Sequence, residues 1–272
     1  MNKQQLAAKI WESANKMRSK IEANEYKDYI LGFIFYKFLS ETEIARLRAE
    51  DWGAEDLKGL DENDAETVQY VRDLCGYFIS YNNLFSTWIA SQGDFTIADV
   101  RDALSAFERN IDPARKRVFV GIFDTLQTGL SKLGTDEKSR SKAVRDLIYL
   151  IKDIPMDSRQ DYDTLGFIYE YLISNFASNA GKKAGEFYTP SEVSQLMSEI
   201  VARHLAGREE INIYDPTSGS GSLLIHIGQA VARRNGNPND IKYYAQELKE
   251  NTYNLTRMNL VMRGILPDNI VA

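Results

Sequence analysis

The stretch from Ile211 to Leu224 constrains the fold of this chain more than any other part of its sequence. Three apolar or aromatic residues mark a short strand that ends on Asp215, and Pro216 cannot continue a ladder because it lacks an N–H group. A loop of small residues that includes Gly219 and Gly221 follows, and apolar residues at helical spacing then begin a helix. This order predicts a nucleotide-type pocket, because glycine lets the backbone approach a ligand and the helix start offers free N–H groups.

The charge around this turn indicates which nucleotide it binds. A dinucleotide site usually has the pattern G-x-G-x-x-G and holds a pyrophosphate at the helix N-terminus. Here Leu224 stands at the third glycine position, and the carboxylate of Asp215 precedes the turn. A carboxylate disfavours a pyrophosphate and suits an ammonium group, so the pattern favours an amino-acid-bearing nucleoside such as S-adenosylmethionine. An ordinary strand–turn–helix connection and the nicotinamide site of an oxidoreductase are the alternatives.

A second strand is predicted at residues 241–245, and it ends at Gln246 and Glu247. In α/β sheets, ligands lie outside the carboxyl ends of the strands, so Glu247 is placed to accept hydrogen bonds from both hydroxyls of a ribose. The alternative is a surface glutamate that the helix dipole favours at the start of the next helix. A third strand is predicted to begin within residues 268–272.

The segment before the first strand breaks helical periodicity with the small and basic residues 178–185. A new helix is predicted to begin after two aromatic residues, with Thr189 or Ser191 as its cap and Pro190 in its first turn. A loop that ends in two aromatics and a helix cap favours a lid over a ligand, and a plain linker between domains is the alternative. The apolar positions of the predicted helix are Val193, Leu196, Met197, Ile200 and Val201.

Residues 1 to about 155 have the periodicity of a helical bundle and contain no catalytic constellation. Thr96 and Ser139 are predicted to cap two of its helices, and residues 52–63 are predicted to form a loop. Aromatic residues at three- and four-residue spacing are interpreted as core, with base stacking as the alternative. They are Tyr77, Phe78, Tyr81, Phe85 and Trp88.

Composition limits the classes of function. The formal net charge of −6 offers no overall basic field, so binding to DNA would require a partner or a local surface for phosphate attraction. Cys75 is the only cysteine and there are two histidines, which excludes an internal disulfide and disfavours a metal site. The start of the chain does not resemble a signal peptide, and no apolar run is long enough for a membrane span, which predicts a cytoplasmic protein.

Three stretches together resemble the modification (methylase) subunit of type I restriction–modification systems, a family of adenine-N6 DNA methyltransferases. Residues 185–190 (GEFYTP) resemble its motif before the sheet, and residues 215–221 (DPTSGSG) resemble its glycine-rich donor loop. Glu247, with Thr252 and Asn259 downstream, resembles its ribose-binding segment. The helical first half resembles the N-terminal domain of that subunit, so the resemblance covers essentially the whole chain.

The resemblance implies an α + α/β architecture, in which a helical N-terminal domain (1–155) precedes the first part of a Rossmann-like methyltransferase sheet (156–272). It implies S-adenosylmethionine as the cofactor and no metal. The partners that it implies are a DNA-specificity subunit, a restriction subunit, a second modification subunit and double-stranded DNA within the complex. The implied cofactor-binding residues are Glu186, Phe187, Tyr188, Thr189, Pro190, Ser191, Asp215, Pro216, Thr217, Ser218, Gly219, Ser220, Gly221 and Glu247.

One departure from the family pattern limits this interpretation. The catalytic loop of the family, Asn/Asp-Pro-Pro-Phe/Tyr, accepts the flipped adenine, and the chain contains neither Asn-Pro-Pro nor Asp-Pro-Pro. The chain is therefore expected to be a fragment that carries the donor-binding half of the site without any catalytic residue, and to bind the donor without transferring its methyl group. The alternative is a catalytically silent module that docks on a DNA-specificity subunit.

Overall fold

The computed structural model divides the chain into two compact units, Met1–Arg159 and Gln160–Ala272, and each unit is described by itself. Within them, the structure describes residues 3–17, 23–156, 167–168, 170–172, 189–235 and 241–272. None of the helices in these ranges is long and apolar enough to cross a membrane.

The described part of the first unit is helical and is organised around a helix of 27 residues, α2. Its helices are α1 (Lys3–Met17), α2 (Ala23–Ala49), α3 (Ala54–Lys58), α4 (Ala65–Cys75), α5 (Phe85–Ala90), α6 (Ile97–Arg109), α7 (Lys116–Phe119), α8 (Asp124–Gly129) and α9 (Glu137–Ile151). Short 3-10 turns connect them at Tyr81–Asn83, Pro113–Arg115 and Leu130–Leu133.

Three details of the helix ends test the predictions for this unit. The prediction that Thr96 caps α6 is confirmed, because its side chain accepts a hydrogen bond from the Asp99 N–H in a capping box. The prediction that Ser139 caps α9 is wrong, because Asp136 is the N-cap and Ser139 is the third residue of its capping box. The predicted loop at 52–63 contains the short helix α3, which follows Gly53.

Helix α2 is buried on several sides, as expected for a central helix in a bundle. Ile30, Phe33, Ile34 and Tyr36 are all buried, so apolar residues surround the helix and do not form one stripe. The aromatic core interpretation is confirmed for Tyr77, Phe78, Phe85 and Trp88, which are buried, whereas Tyr81 is partly exposed. The ring of Trp88 stacks on that of Tyr36 with centroids 5.2 Å apart.

A carboxyl group lies within this apolar core. Glu43 of α2 is fully buried, and its Oε2 accepts a hydrogen bond of 2.9 Å from the Ile79 N–H. Its Oε1 has no hydrogen-bond partner in the part of the chain that the structure describes. Burial raises the pKa of Glu43 well above the ordinary value of a glutamate, although the bond from Ile79 lowers it. Burial in this apolar core therefore favours the protonated form of Glu43.

The second unit contains the predicted sheet, with three parallel strands in the order β1-β2-β3. The strands are β1 (Ile211–Asp215), β2 (Ile241–Gln246) and β3 (Ile270–Val271), which confirms all three predicted strands. In register, Ile211 pairs with Ile241 and Asp215 pairs with Ala245, so the carboxyl ends of β1 and β2 are level. The helices are α10 (Ser191–His204), α11 (Ser222–Asn235) and α12 (Glu250–Val261).

One face of the sheet is covered and the other is open. Ile211 and Ile213 of β1 are buried, whereas Asn212 and Tyr214, which alternate with them, are exposed. On the covered face, the ring of Tyr243 lies so close to Gly228 of α11 that a side chain at that position would overlap with it. The buried residues that form the core cluster around the sheet are Ala202, Ile211, Ile213, Leu224, Ile225, Ile227, Ala230, Val231, Ile241, Ala245, Leu260 and Ile270.

Helix α10 packs on α11 through small residues, and of its five predicted apolar positions Val201 packs against the core of the unit while the other four are exposed. Ser194, Ser198 and Ala202 recur at four-residue steps and are buried. We call this row the small-residue seam. The large apolar side chains on the opposite side remain exposed to solvent by 43–64%. They are Val193, Leu196, Met197 and Ile200, and we call them the outer stripe.

Contacts at three levels show that α10 and α11 run in the same direction. The hydroxyl of Ser194 lies 2.7 Å from His226 Nδ1 near the start of both helices. Further along, Glu199 accepts hydrogen bonds from Arg233 and Arg234. At the far end, Asn235 donates to the carbonyl groups of Leu205 and Arg208 and accepts from the Gly207 N–H. The N-termini of both helices therefore lie at the same end of the unit.

Candidate functional site

The loop between β1 and α11 is folded by its own hydrogen bonds and by one to the neighbouring strand. Asp215 Oδ1 accepts a bond of 2.9 Å from the Thr217 N–H, which turns the chain directly after the strand. The Ser218 N–H donates to the Gln246 carbonyl at 3.0 Å, and the Gly221 N–H donates to the Ser218 carbonyl at 2.8 Å. The loop thus lies across the carboxyl ends of β1 and β2.

The two glycines of this loop meet different requirements. Both have left-handed backbone conformations, with φ of 59° at Gly219 and 77° at Gly221. A Cβ at Gly221 would lie 3.2 Å from Thr256 Cγ2, so this glycine permits the loop to approach α12. A Cβ at Gly219 would meet no atom closer than the Thr217 carbonyl oxygen at 4.0 Å, so the space beside this glycine is open. A ligand can approach the backbone at Gly219.

The carboxylate of Glu247 connects the loop to the start of α12. Its Oε2 accepts a bond of 3.0 Å from the Gly219 N–H, and its Oε1 accepts a bond of 3.0 Å from the Lys249 N–H. Each carboxylate oxygen has a second acceptor site, so these two bonds leave room for the hydroxyls of a ligand. The structure brings Glu247 and the loop 215–221 together, as their positions at the ends of adjacent strands predict.

Side chains of helix α12 hold the loop through hydrogen bonds. The sequence analysis named Thr252 and Asn259 without giving them a role, and it did not name Thr256. Thr256 Oγ1 donates to the Gly219 carbonyl at 2.7 Å and lies 3.0 Å from Ser218 Oγ. Asn259 Nδ2 donates to the Ser220 carbonyl at 2.9 Å. Thr252, Thr256 and Asn259 are buried polar residues at helical spacing. A row of polar residues among apolar ones on a helix is the sequence signal that could have indicated this role, because buried polar groups need hydrogen-bond partners.

Leu248 is a further residue that the sequence interpretation missed. Its side chain is 92% exposed, directly after Glu247 and outside the carboxyl end of β2. Apolar and aromatic side chains predominate in ligand pockets, so an exposed leucine at this edge suits the apolar face of a bound base. The sequence signal is a large aliphatic residue immediately after the acidic end of a strand.

Three of the remaining predicted residues, Thr189, Pro190 and Ser191, lie at the start of α10. Pro190 is the N-cap residue of α10, and neither Thr189 nor Ser191 caps it with a side-chain hydrogen bond, so the predicted cap is wrong. The backbone instead closes the first turn, because the Ser194 N–H donates to the Pro190 carbonyl at 2.9 Å. Glu186, Phe187 and Tyr188 lie outside the described residues.

We expect Gly221→Ala to destabilise the protein more than Gly207→Ala. Both glycines have left-handed φ, 77° and 79°, which costs an alanine about 1–2 kcal/mol in either position. Of these two glycines, only Gly221 faces a neighbour, Thr256, so its substitution adds overpacking of about 1 kcal/mol. Urea denaturation of both variants measures the difference. Equal losses of unfolding free energy would show that Thr256 moves aside freely.

The sequence matches two families in succession. Residues 6–151 match the family described as HsdM N-terminal domain. Residues 160–271 match the family described as N-6 DNA Methylase. The second match contains the glycine-rich loop, Glu247 and the helix that holds the loop.

Similar curated proteins are methylase subunits of type I restriction enzymes. The MpnII methylase subunit of Mycoplasma pneumoniae is 31% identical over 279 residues, which cover 94% of this chain and 50% of the relative. The MjaIX methylase subunit of Methanocaldococcus jannaschii is 25% identical over 257 residues, which cover 94% of this chain and 45% of the relative. The chain thus spans about half the length of these relatives.

Solved structures agree with the helical unit and parallel sheet described above. A type I restriction–modification methyltransferase subunit from Streptococcus thermophilus superimposes with a TM-score of 0.76 at 32% identity, covering 99% of this chain and 58% of that one. A chain from a structure on complex assembly of a type I system superimposes with a TM-score of 0.54 at 20% identity. That match covers 99% of this chain and 50% of the other, and it supports the fold alone.

Proposed function

Because the chain belongs to the family of type I restriction enzyme methylase subunits, we propose that it binds S-adenosylmethionine at the carboxyl ends of β1 and β2. The observation that carries this proposal is the carboxylate of Glu247, which is held against Gly219 beside open space. In the whole subunit, the bound donor would supply a methyl group activated by its sulfonium charge for transfer to adenine N6 in DNA.

Each part of the site has a chemical role in this proposal. Glu247 accepts hydrogen bonds from the ribose hydroxyls, and Leu248 contacts the face of the adenine base. Asp215 attracts the ammonium of the methionine part, and its bond to the Thr217 N–H fixes the direction of its carboxylate. Gly219 and Gly221 let the backbone of the loop come close to the donor. The other loop residues Pro216, Thr217, Ser218 and Ser220 shape the same wall.

The start of α10 supplies a second wall of the donor site. Thr189, Pro190 and Ser191 lie at the N-terminus of α10, which is at the same end of the unit as the N-terminus of α11. The roles of Glu186, Phe187 and Tyr188 as a lid rest on the resemblance of residues 185–190 to the family motif.

The proposal also assigns a role to each of the two domains in the whole subunit. We assign residues 1–155 to a helical docking domain and residues 156–272 to an incomplete donor-binding domain. The docking domain would contact a DNA-specificity subunit in a cytoplasmic complex with a restriction subunit, a second modification subunit and DNA. The similarity of this chain to methylase subunits of type I restriction enzymes supports such an arrangement.

We expect the polypeptide of 272 residues to bind S-adenosylmethionine saturably and to transfer no methyl group to DNA. Calorimetric titration measures the binding, and a radioactive methyl group measures the transfer to adenine-containing duplexes. Asp215→Ala should weaken binding, whereas Asp268→Ala should not, because Asp268 is an exposed residue before β3, at the opposite edge of the sheet.

Three results would contradict parts of this proposal. A folded protein without saturable binding would refute the donor site and leave the docking role of the helical unit. Methylation of adenine by the verified polypeptide would refute the assignment of catalysis to a region outside it. Tighter binding of a nicotinamide dinucleotide than of S-adenosylmethionine would favour the oxidoreductase alternative.

A further inference from the structure

A buried polar contact connects the two helices whose N-termini flank the candidate site. Ser194 is the fourth residue of α10 and is 1% exposed. Its hydroxyl lies 2.7 Å from Nδ1 of His226, which is the fifth residue of α11. This contact falls in the small-residue seam, where the backbones of the two helices approach each other.

Backbone hydrogen bonds extend this contact to the residues of the site. On the α10 side, the Ser194 N–H donates to the Pro190 carbonyl at 2.9 Å. On the α11 side, the residue before His226, Ile225, donates its N–H to the Gly221 carbonyl at 3.1 Å. A backbone hydrogen bond therefore connects Ser194 directly to Pro190. On the other helix, the residue next to His226 is bonded to Gly221 of the loop.

We propose that Ser194 and His226 are positioning residues, whose hydrogen bond fixes the distance between the start of α10 and the glycine-rich loop. This inference rests on the proposed function, because it treats Thr189 and Pro190 as one wall of the donor site and Gly219 and Gly221 as the other. Neither side chain needs to touch the donor for this role.

In the described part of the chain, the other side-chain hydrogen bonds between α10 and α11 lie further from the start of α10. The ion pairs of Glu199 with Arg233 and Arg234 are exposed, and exposed ion pairs contribute little to stability. They also lie more than one helical turn beyond Ser194. The bonds of Asn235 lie at the far ends of both helices. Among the described residues, the contact of Ser194 with His226 is the side-chain hydrogen bond between the two helices that lies nearest the start of α10.

The test compares two buried serines of the same seam. Ser198 is 2% exposed, but its hydroxyl donates to the Ser194 carbonyl within α10 and does not connect the helices. We expect Ser194→Ala to weaken donor binding roughly three- to tenfold, the usual effect of one lost hydrogen bond, and Ser198→Ala to leave it unchanged. Thermal denaturation checks that both variants remain folded.

Substitutions of the histidine test the same bond from its other side. His226→Asn keeps a polar atom near the position of Nδ1 and should retain most of the affinity, because an amide can accept from or donate to the serine. His226→Leu keeps bulk without a polar atom and should lose as much affinity as Ser194→Ala. Calorimetric titration with S-adenosylmethionine measures all four variants in the full chain.

Hydrogen exchange measured in the absence of the donor tests this inference independently of the proposed function. Hydrogen exchange should be faster at residues 191–196 in Ser194→Ala than in the wild type, and unchanged in Ser198→Ala. If the wild type does not bind the donor, the proposed function fails, and the exchange result still decides whether the contact holds the start of α10. Equal exchange and equal affinity in the two serine variants would overturn the inference. So would an affinity of His226→Asn as low as that of His226→Leu.

Discussion

Glu247→Ala is expected to remove donor binding almost completely while the protein remains folded. The carboxylate accepts backbone bonds from Gly219 and Lys249 and has further acceptor sites for two ribose hydroxyls. Because a hydrogen bond to a charged group contributes about 1.5–3 kcal/mol, losing two of them should raise the dissociation constant by at least ~100-fold. Calorimetric titration with S-adenosylmethionine measures the change.

Two variants show whether the effect comes from the position and the charge of Glu247. Glu247→Gln keeps one carbonyl acceptor and loses the charge, so its affinity should lie between those of wild type and Glu247→Ala. Glu250→Ala removes an exposed carboxylate from the first turn of α12 and should bind like wild type. An undiminished affinity in Glu247→Ala would contradict both the loop-holding and the ribose-binding role.

The second large effect concerns the dependence of stability on pH. Burial holds the pKa of Glu43 well above the unfolded value, so the folded state keeps a proton that the unfolded chain releases. The stability linked to Glu43 is therefore fully present below the ordinary glutamate pKa of 4.5 and declines as pH rises toward the folded-state pKa. In that window the free energy of unfolding should fall by up to about 1.4 kcal/mol per pH unit.

Glu43→Gln should remove this decline, since an amide does not ionise. Urea denaturation of wild type and variant between pH 5 and pH 9, about four pH units, measures the two slopes. Glu50→Gln is the control, because Glu50 is an exposed residue directly after α2. Parallel slopes in wild type and Glu43→Gln would show that the folded protein ionises Glu43 at the same pH as the unfolded chain.

Much of the geometry of the candidate site could be predicted because it depends on residues close together in sequence. Pro216 ends β1, and glycines supply the left-handed conformations of the loop, so local chemistry determines the turn. Glu247 follows from the general rule that parallel strands end at one edge of a sheet. In this structure the Glu247 carboxylate lies at that edge and accepts a hydrogen bond from Gly219 of the loop.

The parts that could not be predicted depend on contacts between distant segments. Ser194 and His226 are 32 positions apart, and no local pattern pairs them. Thr256 lies on a helix after the second strand, yet it fixes the conformation of a loop after the first. The capping of α9 by Asp136 in place of Ser139 shows the same limit on a small scale, because either residue satisfies the local pattern.

The choice of packing face on α10 is the clearest difference between pattern and structure. The sequence offers two candidate faces, a row of large apolar residues and a row of small ones. The small row is the buried one, and Ser194 within it contacts His226 of α11. Periodicity identifies the helix but does not decide between its faces.

The two sides of α10 should tolerate substitution differently, because the outer stripe is exposed and the small-residue seam is buried. Leu196 and Ile200 bury little of their surface within this chain, so polar residues there would cost it little folding free energy. At Ala202, a larger side chain would force the two helices apart. A version of this polypeptide made more soluble for expression should therefore be altered on the stripe, where hydrophilic residues add solubility, and left unchanged along the seam.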